Sequence, residues 1–271
     1  MNYESSGVPL HFETNLTGSH HSPWILFIHG AGGSIRTWRK QVAAFEGKYN
    51  LLLIDLPGHA QSVKASATQE VYDFEWIGNK IWEVVDLNRI QTVHIVGVSL
   101  GSIIAAQMQY NRPHQVVSMI FSGPIVGLNL KLRLLARFSL ALARVVGFQR
   151  FYAITARIAL PRKNHQKSRE IFVRESKAMT DHEYKKWTSM YGKTLDDTLN
   201  RLFDSAPQVP VLFVIGAQDH LFKSPALAYA GRFKQVHVVE VERCGHLVSL
   251  EKSERFNVVC LEFVQAHDPV A

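Results

Sequence analysis

Cysteine is scarce, with only Cys244 and Cys260 among 271 residues. Two thiols without metal-ligand spacing exclude a disulfide framework and a cysteine-built zinc site, and they fit a reducing compartment. Cys260 is expected on the apolar side of a C-terminal helix, and Cys244 as a buried packing residue rather than a reactive thiol. Long hydrophobic runs are missing too. The most apolar stretch, Leu134 to Phe148, is interrupted by Arg137 and Arg144 and is too short for a bilayer core of about 30 Å, so no membrane span is expected. The start, Met1-Asn2-Tyr3-Glu4, lacks a basic region followed by an apolar one and does not read as a secretory signal, so the expected location is cytoplasmic. No internal repeat, low-complexity tract or Gly/Ser-rich linker divides the chain.

What is present is an ordinary globular composition: 46% hydrophobic, 20% charged and 10% aromatic residues, enough to bury a sizeable core. The formal net charge of +7 is unevenly placed. Between Pro124 and Asn200 there are 15 Lys and Arg against 6 Asp and Glu, whereas the rest of the chain carries 15 against 17. A uniformly basic nucleic-acid binder is not patterned this way; a near-neutral core with a basic insertion is. No nucleic-acid partner is expected.

Short apolar runs alternate with segments of helical period, the pattern of a mostly parallel sheet with helices on both faces. Strands are read at Val8 to Phe12, Trp24 to Ile28, Leu51 to Ile54, Val93 to Val96 and Val116 to Phe121. Helices are read at Thr37 to Phe45, Phe74 to Leu87 and Ser102 to Tyr110. After Ser122-Gly123-Pro124 the alternation stops for about eighty residues, then resumes with a strand at Val211 to Ile215, a short helix near Ala226 to Gly231, a strand at Val236 to Val241 and an amphipathic helix from Leu250 to Ala266. This reads as an α/β core, residues 1–123 and 201–271, interrupted by a helical cap at 124–200.

The strongest local signal is Gly97-Val98-Ser99-Leu100-Gly101, directly after a strand and before a helix. A G-x-S-x-G turn in that context forces the serine into a strained conformation and presents its hydroxyl above the sheet. The helix N-terminus and the Leu100 N–H then face any negative charge that develops there. A serine hydroxyl needs a base to remove its proton and a carboxylate to orient that base. Asp219, in Gly216-Ala217-Gln218-Asp219, and His246, in Cys244-Gly245-His246, each follow a predicted strand at the carboxyl edge where Ser99 sits.

With these residues the chain resembles the α/β-hydrolase superfamily in its small form with a helical cap, over nearly its whole length. His29-Gly30-Ala31-Gly32-Gly33 is similar to that family's oxyanion loop. The resemblance implies that the Ala31 N–H, with Gly32 as an alternative, shares an oxyanion hole with Leu100. Asp55-Leu56-Pro57-Gly58-His59-Ala60-Gln61-Ser62 is similar to the family's D-x-P-G-H-G-x-S segment, with Ala60 in place of glycine. The elbow departs from the commoner G-H-S-M-G-G at Val98, Leu100 and Ser102, which leaves the nucleophile intact. Serine at 99 sets the chain apart from dehalogenases and epoxide hydrolases, whose nucleophile is aspartate. Some relatives place the acid at the end of the strand before the cap, but here that place is Ser122-Gly123, so Asp219 keeps the role.

The resulting expectation is a cofactor-independent serine hydrolase, needing no metal, that cleaves a small-molecule carboxylic ester with a hydrophobic portion. Leu128, Leu132, Leu135 and Phe138 are candidate pocket residues, and Leu142, Phe148, Phe151 and Tyr152 further ones. His29 is expected to brace the oxyanion loop, and His59 and Asp55 to be structural. On a helix from Leu130 to Val146, Arg133, Arg137 and Arg144 fall within about 40° of one another. That stripe suits anionic substrates, an anionic membrane surface, or plain solvent. Two alternatives stay open: the same residues applied to C–C hydrolysis, elimination or acyl transfer on an anionic small molecule, and a non-catalytic ligand-binding protein on the same fold.

Overall fold

The computed structural model describes residues 10–18, 22–66, 69–129, 132–134 and 147–268. Seven strands form one sheet: β1 (Phe12–Asn15), β2 (Trp24–Ile28), β3 (Asn50–Ile54), β4 (Val93–Val98), β5 (Val116–Ser122), β6 (Val211–Gly216) and β7 (Val236–Val241). Their order is β1-β3-β2-β4-β5-β6-β7, with β1 antiparallel to β3 and every other pairing parallel. The first strand lies later than expected, and Val8 falls outside the described residues.

Side-chain alternation divides the core into two layers. Leu26, Ile28, Leu52, Ile95, Phe121 and Phe213 face one way, against α2 (Phe74–Leu87) and α3 (Leu100–Asn111). Ile25, Phe27, Leu53, Val96, Val98 and Val214 face the other way, against α1 (Arg39–Phe45) and the C-terminal helix. Strands β2 to β4 are buried along their whole length, as parallel strands covered on both faces should be. Asp73 starts α2 by accepting the Trp76 N–H at 2.7 Å, the expected use of an aspartate at a helix start.

The segment between β5 and β6 contains α4 (Phe148–Ala159), α5 (Gln166–Ser176) and α6 (Asp181–Phe203). Their buried faces supply Phe148, Phe151, Tyr152, Tyr184, Trp187 and Leu199 to the same apolar layer as α2 and α3. α6 runs across residue 200, and in its last turn Arg201 donates to Gln107 Oε1 of α3 at 2.7 Å. After β6 come α7 (Lys223–Ala230), the single turn α8 (Val248–Glu251) and α9 (Ser253–His267). The C-terminal helix expected from Leu250 is thus interrupted, because Lys252 leaves helical geometry at φ −133° and ψ 51°. Among the described residues no helix is long and apolar enough to cross a membrane.

Candidate active site

Ser99 stands between β4 and α3 at φ 52° and ψ −113°, a conformation that costs a non-glycine residue roughly 1–3 kcal/mol and persists only where its surroundings impose it. The glycines around it explain how the turn fits. A Cβ at Gly97 would lie 2.5 Å from the Gly101 carbonyl oxygen, and one at Gly101 would run into the Ile28 carbonyl. Ser102 Oγ donates to the Ser99 carbonyl at 2.6 Å and accepts the Ile125 N–H at 3.0 Å. The residue that departs from the usual glycine therefore ties the elbow to the chain leaving β5.

Asp219 and His246 reach Ser99 from the loops after β6 and β7, at the same carboxyl edge. His246 Nδ1 lies 2.7 Å from Asp219 Oδ2, and its Nε2 lies 2.9 Å from Ser99 Oγ. The carboxylate can only accept, which makes Nδ1 the donor and leaves Nε2 free to accept the serine hydroxyl. Asp219 Oδ1 accepts the Leu221 and Phe222 N–H groups, each at 3.1 Å. Burial pushes the Asp219 carboxyl up, but His246 and those two amides outweigh it and hold the group below the usual carboxylate value. Asp219 is 2% and His246 6% exposed, so water does little to screen the pair. Gly123, at φ +57°, packs directly on His246: a Cβ there would sit 2.5 Å from the His246 carbonyl oxygen and 2.8 Å from Nδ1.

The loop before Ser34 is held by two histidines. His29 Nδ1 donates to the Gly30 carbonyl at 2.8 Å and its Nε2 accepts the Leu56 N–H at 3.0 Å. His59 Nδ1 donates to the Pro57 carbonyl at 3.0 Å and its Nε2 accepts the Gly32 N–H at 3.0 Å. Each ring uses one nitrogen as donor and the other as acceptor, so both are neutral. Burial drives both pKa values down, that of His59 to about 3. The Gly32 N–H is thereby committed to His59, which leaves Ala31 as the candidate on this loop. Asp55 accepts from the Ile35 and Gln61 amides at 2.9 and 3.2 Å and sits 2.9 Å from His11 Nδ1, in keeping with a loop-forming role.

Above Ser99 lies a cavity of about 220 Å³. Its walls include Ala31, Ile158, Leu160, Phe172, Phe222 and Leu247, with Glu175 the one acidic or basic side chain besides His246 among the described residues. Of the four expected pocket residues, Leu128 lines an adjoining cavity instead, Leu132 is buried without lining either, and Leu135 and Phe138 lie outside the described residues. Leu142, Arg137 and Arg144 also lie outside them. Arg133 is described and pairs with Asp196 at 3.3 Å. The walls that sequence reading missed come from α4 and α5. Thr155, Ile158 and Phe172 lie in helical stretches, but which face meets Ser99 is decided by packing against the core.

A second contact joins the segment between β5 and β6 to the two loops that carry Asp219 and His246. Asn164 Nδ2 donates to Gln218 Oε1 at 3.0 Å and to the Arg243 carbonyl at 3.1 Å, and His165 Nε2 lies 2.9 Å from Gln218 Oε1. Cys244 is buried beside them, where burial raises its thiol pKa far above the ordinary value, which fits a packing role.

Comparison with known proteins agrees with this fold. Over 116 residues the chain is 38% identical to a 2-succinyl-6-hydroxy-2,4-cyclohexadiene-1-carboxylate synthase of Yersinia pseudotuberculosis, covering 42% of this chain and 41% of that protein. The match thus spans less than half of the relative's length. Among solved structures, MenH from S. aureus superposes with a TM-score of 0.77 at 20% identity, covering 96% of this chain and 99% of that one. A thermophilic esterase from Thermogutta terrifontis superposes with a TM-score of 0.78 at 18% identity, covering 96% and 94%. The profile of the alpha/beta hydrolase fold matches residues 23–253. With that match, a mostly parallel sheet and a serine elbow at its carboxyl edge, the chain belongs to the alpha/beta hydrolase fold family.

Proposed function

We propose that this chain is a serine hydrolase that cleaves neutral carboxylic esters with hydrophobic substituents through an acyl-enzyme. The observation that carries this reading is the Ser99–His246–Asp219 hydrogen-bond chain at the base of a cavity whose described walls include no Lys or Arg. Ser99 Oγ attacks the acyl carbon while His246 Nε2 takes its proton. His246 then delivers that proton to the leaving oxygen as the C–O bond breaks, and Asp219 orients the ring and stabilises its charged form. A water molecule, deprotonated by His246, hydrolyses the acyl-enzyme and restores the serine hydroxyl. The N–H groups of Ala31 and Leu100 hold the oxyanion, each contributing about 3 kcal/mol to the barrier reduction if it acts like other oxyanion donors.

The test is turnover of a p-nitrophenyl acyl ester and labelling by a fluorophosphonate, each compared with Ser99→Ala. Loss of both in the variant is expected; labelling retained in Ser99→Ala would overturn the assignment.

A second reading is favoured by one observation, the 38% identity to a synthase named for a cyclohexadiene carboxylate. The same residues would then act on a carboxylate-bearing molecule. The Ser99 cavity gives such a molecule no described cation, and Arg133 in the adjoining cavity is already paired with Asp196. Turnover of carboxylate-bearing substrates with none on neutral esters would install this reading in place of the first.

A further inference from the structure

Asp219 and His246 stand on two different loops, after β6 and after β7, so their 2.7 Å contact is only as firm as the hold of one loop on the other. Part of that hold is made by backbone. The Ala217 N–H donates to the Val241 carbonyl at 2.9 Å and the Gln218 N–H to the Cys244 carbonyl at 2.8 Å. Gly216 and Gly245 pack directly on each other, since a Cβ on Gly216 would run into the Gly245 carbonyl.

His165 adds a side-chain hold from a third segment. It ends the short turn Lys163–His165 between α4 and α5, and its side chain is fully buried. Nε2 lies 2.9 Å from Gln218 Oε1, which also accepts from Asn164 Nδ2. A carboxamide oxygen only accepts, so Nε2 carries the proton and donates it. Nδ1 accepts the Arg162 N–H at 3.4 Å, as that tautomer requires. The same ring lies on Gly245, where a Cβ would come 2.9 Å from Cε1 and 3.0 Å from Nε2. One imidazole thus touches the residue before Asp219 and the residue before His246.

We propose that His165 is a positioning residue for hydrolysis: through Gln218 and Gly245 it sets the spacing of the two loops and so keeps Asp219 Oδ2 at hydrogen-bond distance from His246 Nδ1. This assignment rests on the reading of Ser99, His246 and Asp219 as a hydrolytic set. His165 is not among the residues that line the Ser99 cavity, so its removal acts on turnover and not on the fit of the substrate. Misplacing a catalytic group by about 1 Å costs up to about a hundredfold in rate. Loss of one hold among several, with the backbone contacts left in place, costs less than that.

Two substitutions at one site test it. His165→Phe keeps a ring in the space but removes the donor, and His165→Gln returns a donor near the place of Nε2. With a p-nitrophenyl ester, His165→Phe is expected to lower kcat about tenfold with KM within about twofold of wild type, and His165→Gln to recover kcat to within about threefold. Gln218→Met removes the acceptor from the half-buried side of the same bond; it is expected to show the same loss, and it decides the matter if His165→Phe does not fold. Wild-type kcat in His165→Phe or in Gln218→Met overturns the proposal. A His165→Gln as slow as a folded His165→Phe does so too, because the ring would then only fill space. A readout independent of turnover is the low-field proton resonance of His246 Nδ1–H, identified by its absence in His246→Gln. It is expected to broaden or vanish in His165→Phe and to return in His165→Gln. That pattern in a protein that neither cleaves esters nor labels with a fluorophosphonate overturns ester hydrolysis and leaves His165 its hold on Asp219 and His246. An unchanged resonance in His165→Phe, beside ester turnover by wild type, overturns the role of His165 alone.

Discussion

Glu251 grips the backbone on both sides of His246: its Oε2 accepts the Gly245 N–H at 2.9 Å and its Oε1 the Leu247 N–H at 3.3 Å. Burial raises the pKa of this carboxyl, while the two amides and the nearby His165 partly offset the effect. Both oxygens must accept, which a carboxylate does and a carboxamide does not. Glu251→Gln is therefore expected to lower kcat for an acyl ester about tenfold or more, with KM changed by no more than about twofold, because the loop amide facing the new NH₂ loses its acceptor. Steady-state kinetics on a p-nitrophenyl ester, paired with the rate of fluorophosphonate labelling, check this. Equal kcat in the two proteins would remove Glu251 as a positioning residue.

His59 offers a parallel case at the loop that carries Ala31 and Gly32. A phenylalanine there keeps the ring but removes the acceptor for the Gly32 N–H and the donor to the Pro57 carbonyl. With Gly32 released, the Ala31 amide loses its fixed direction, and acylation is expected to slow about ten- to a hundredfold. Stopped-flow acylation of His59→Phe measures the effect, and an unchanged rate would place the loop's order elsewhere.

Gly123→Ala tests how closely His246 is confined. The new methyl would demand a strained positive φ and the space occupied by His246 Nδ1 and the His246 carbonyl oxygen. Displacing that ring by about 1 Å from Ser99 is expected to cost about a hundredfold in kcat/KM. The prediction fails if the variant folds and turns over ester at the wild-type rate.

Acid should destabilise the fold through its buried histidines before the ordinary carboxylate range is reached. Burial holds His59 at about 3 and His94 at about 4, with Asp268 opposing the second shift. In the unfolded chain both titrate near the ordinary histidine value of about 6.5, so below that pH the unfolded state binds protons that the folded state refuses. Stability is complete above that value and declines as pH falls toward the folded pKa values, by about 2 kcal/mol for each of the two residues at pH 5. Urea midpoints compared at pH 7.5 and pH 5 provide the check, and equal midpoints would contradict it.

The parts of this molecule that could be read from sequence are those whose geometry is local. Gly97 and Gly101 announce the elbow because the turn itself demands small residues, and Asp219 and His246 are marked by following apolar strands of recognisable length. The interruption of the last helix at Lys252 was hidden, since the apolar period continues across it. The segment between β5 and β6 was hardest. Leu132 and Thr155 both lie on apolar-rich stretches, yet one is simply buried and the other faces both cavities. That choice is made by contacts between elements far apart in the chain, as is the hold of Glu251 on the His246 loop, for which sequence carried no signal beyond proximity.

The continuity of α6 bears on how such a protein can be rebuilt. Trp187 Nε1 donates to the Pro57 carbonyl at 3.0 Å near one end of the helix, and Arg201 reaches Gln107 near the other, with Phe203 in the core. A β5–β6 segment exchanged with a relative at residue 200 would sever this helix inside its own anchorage. A graft that keeps both ends must run to Phe203 or beyond and bring along matching partners at 57 and 107, so substrate scope in this chain is more readily altered by repainting the inner walls than by swapping the roof.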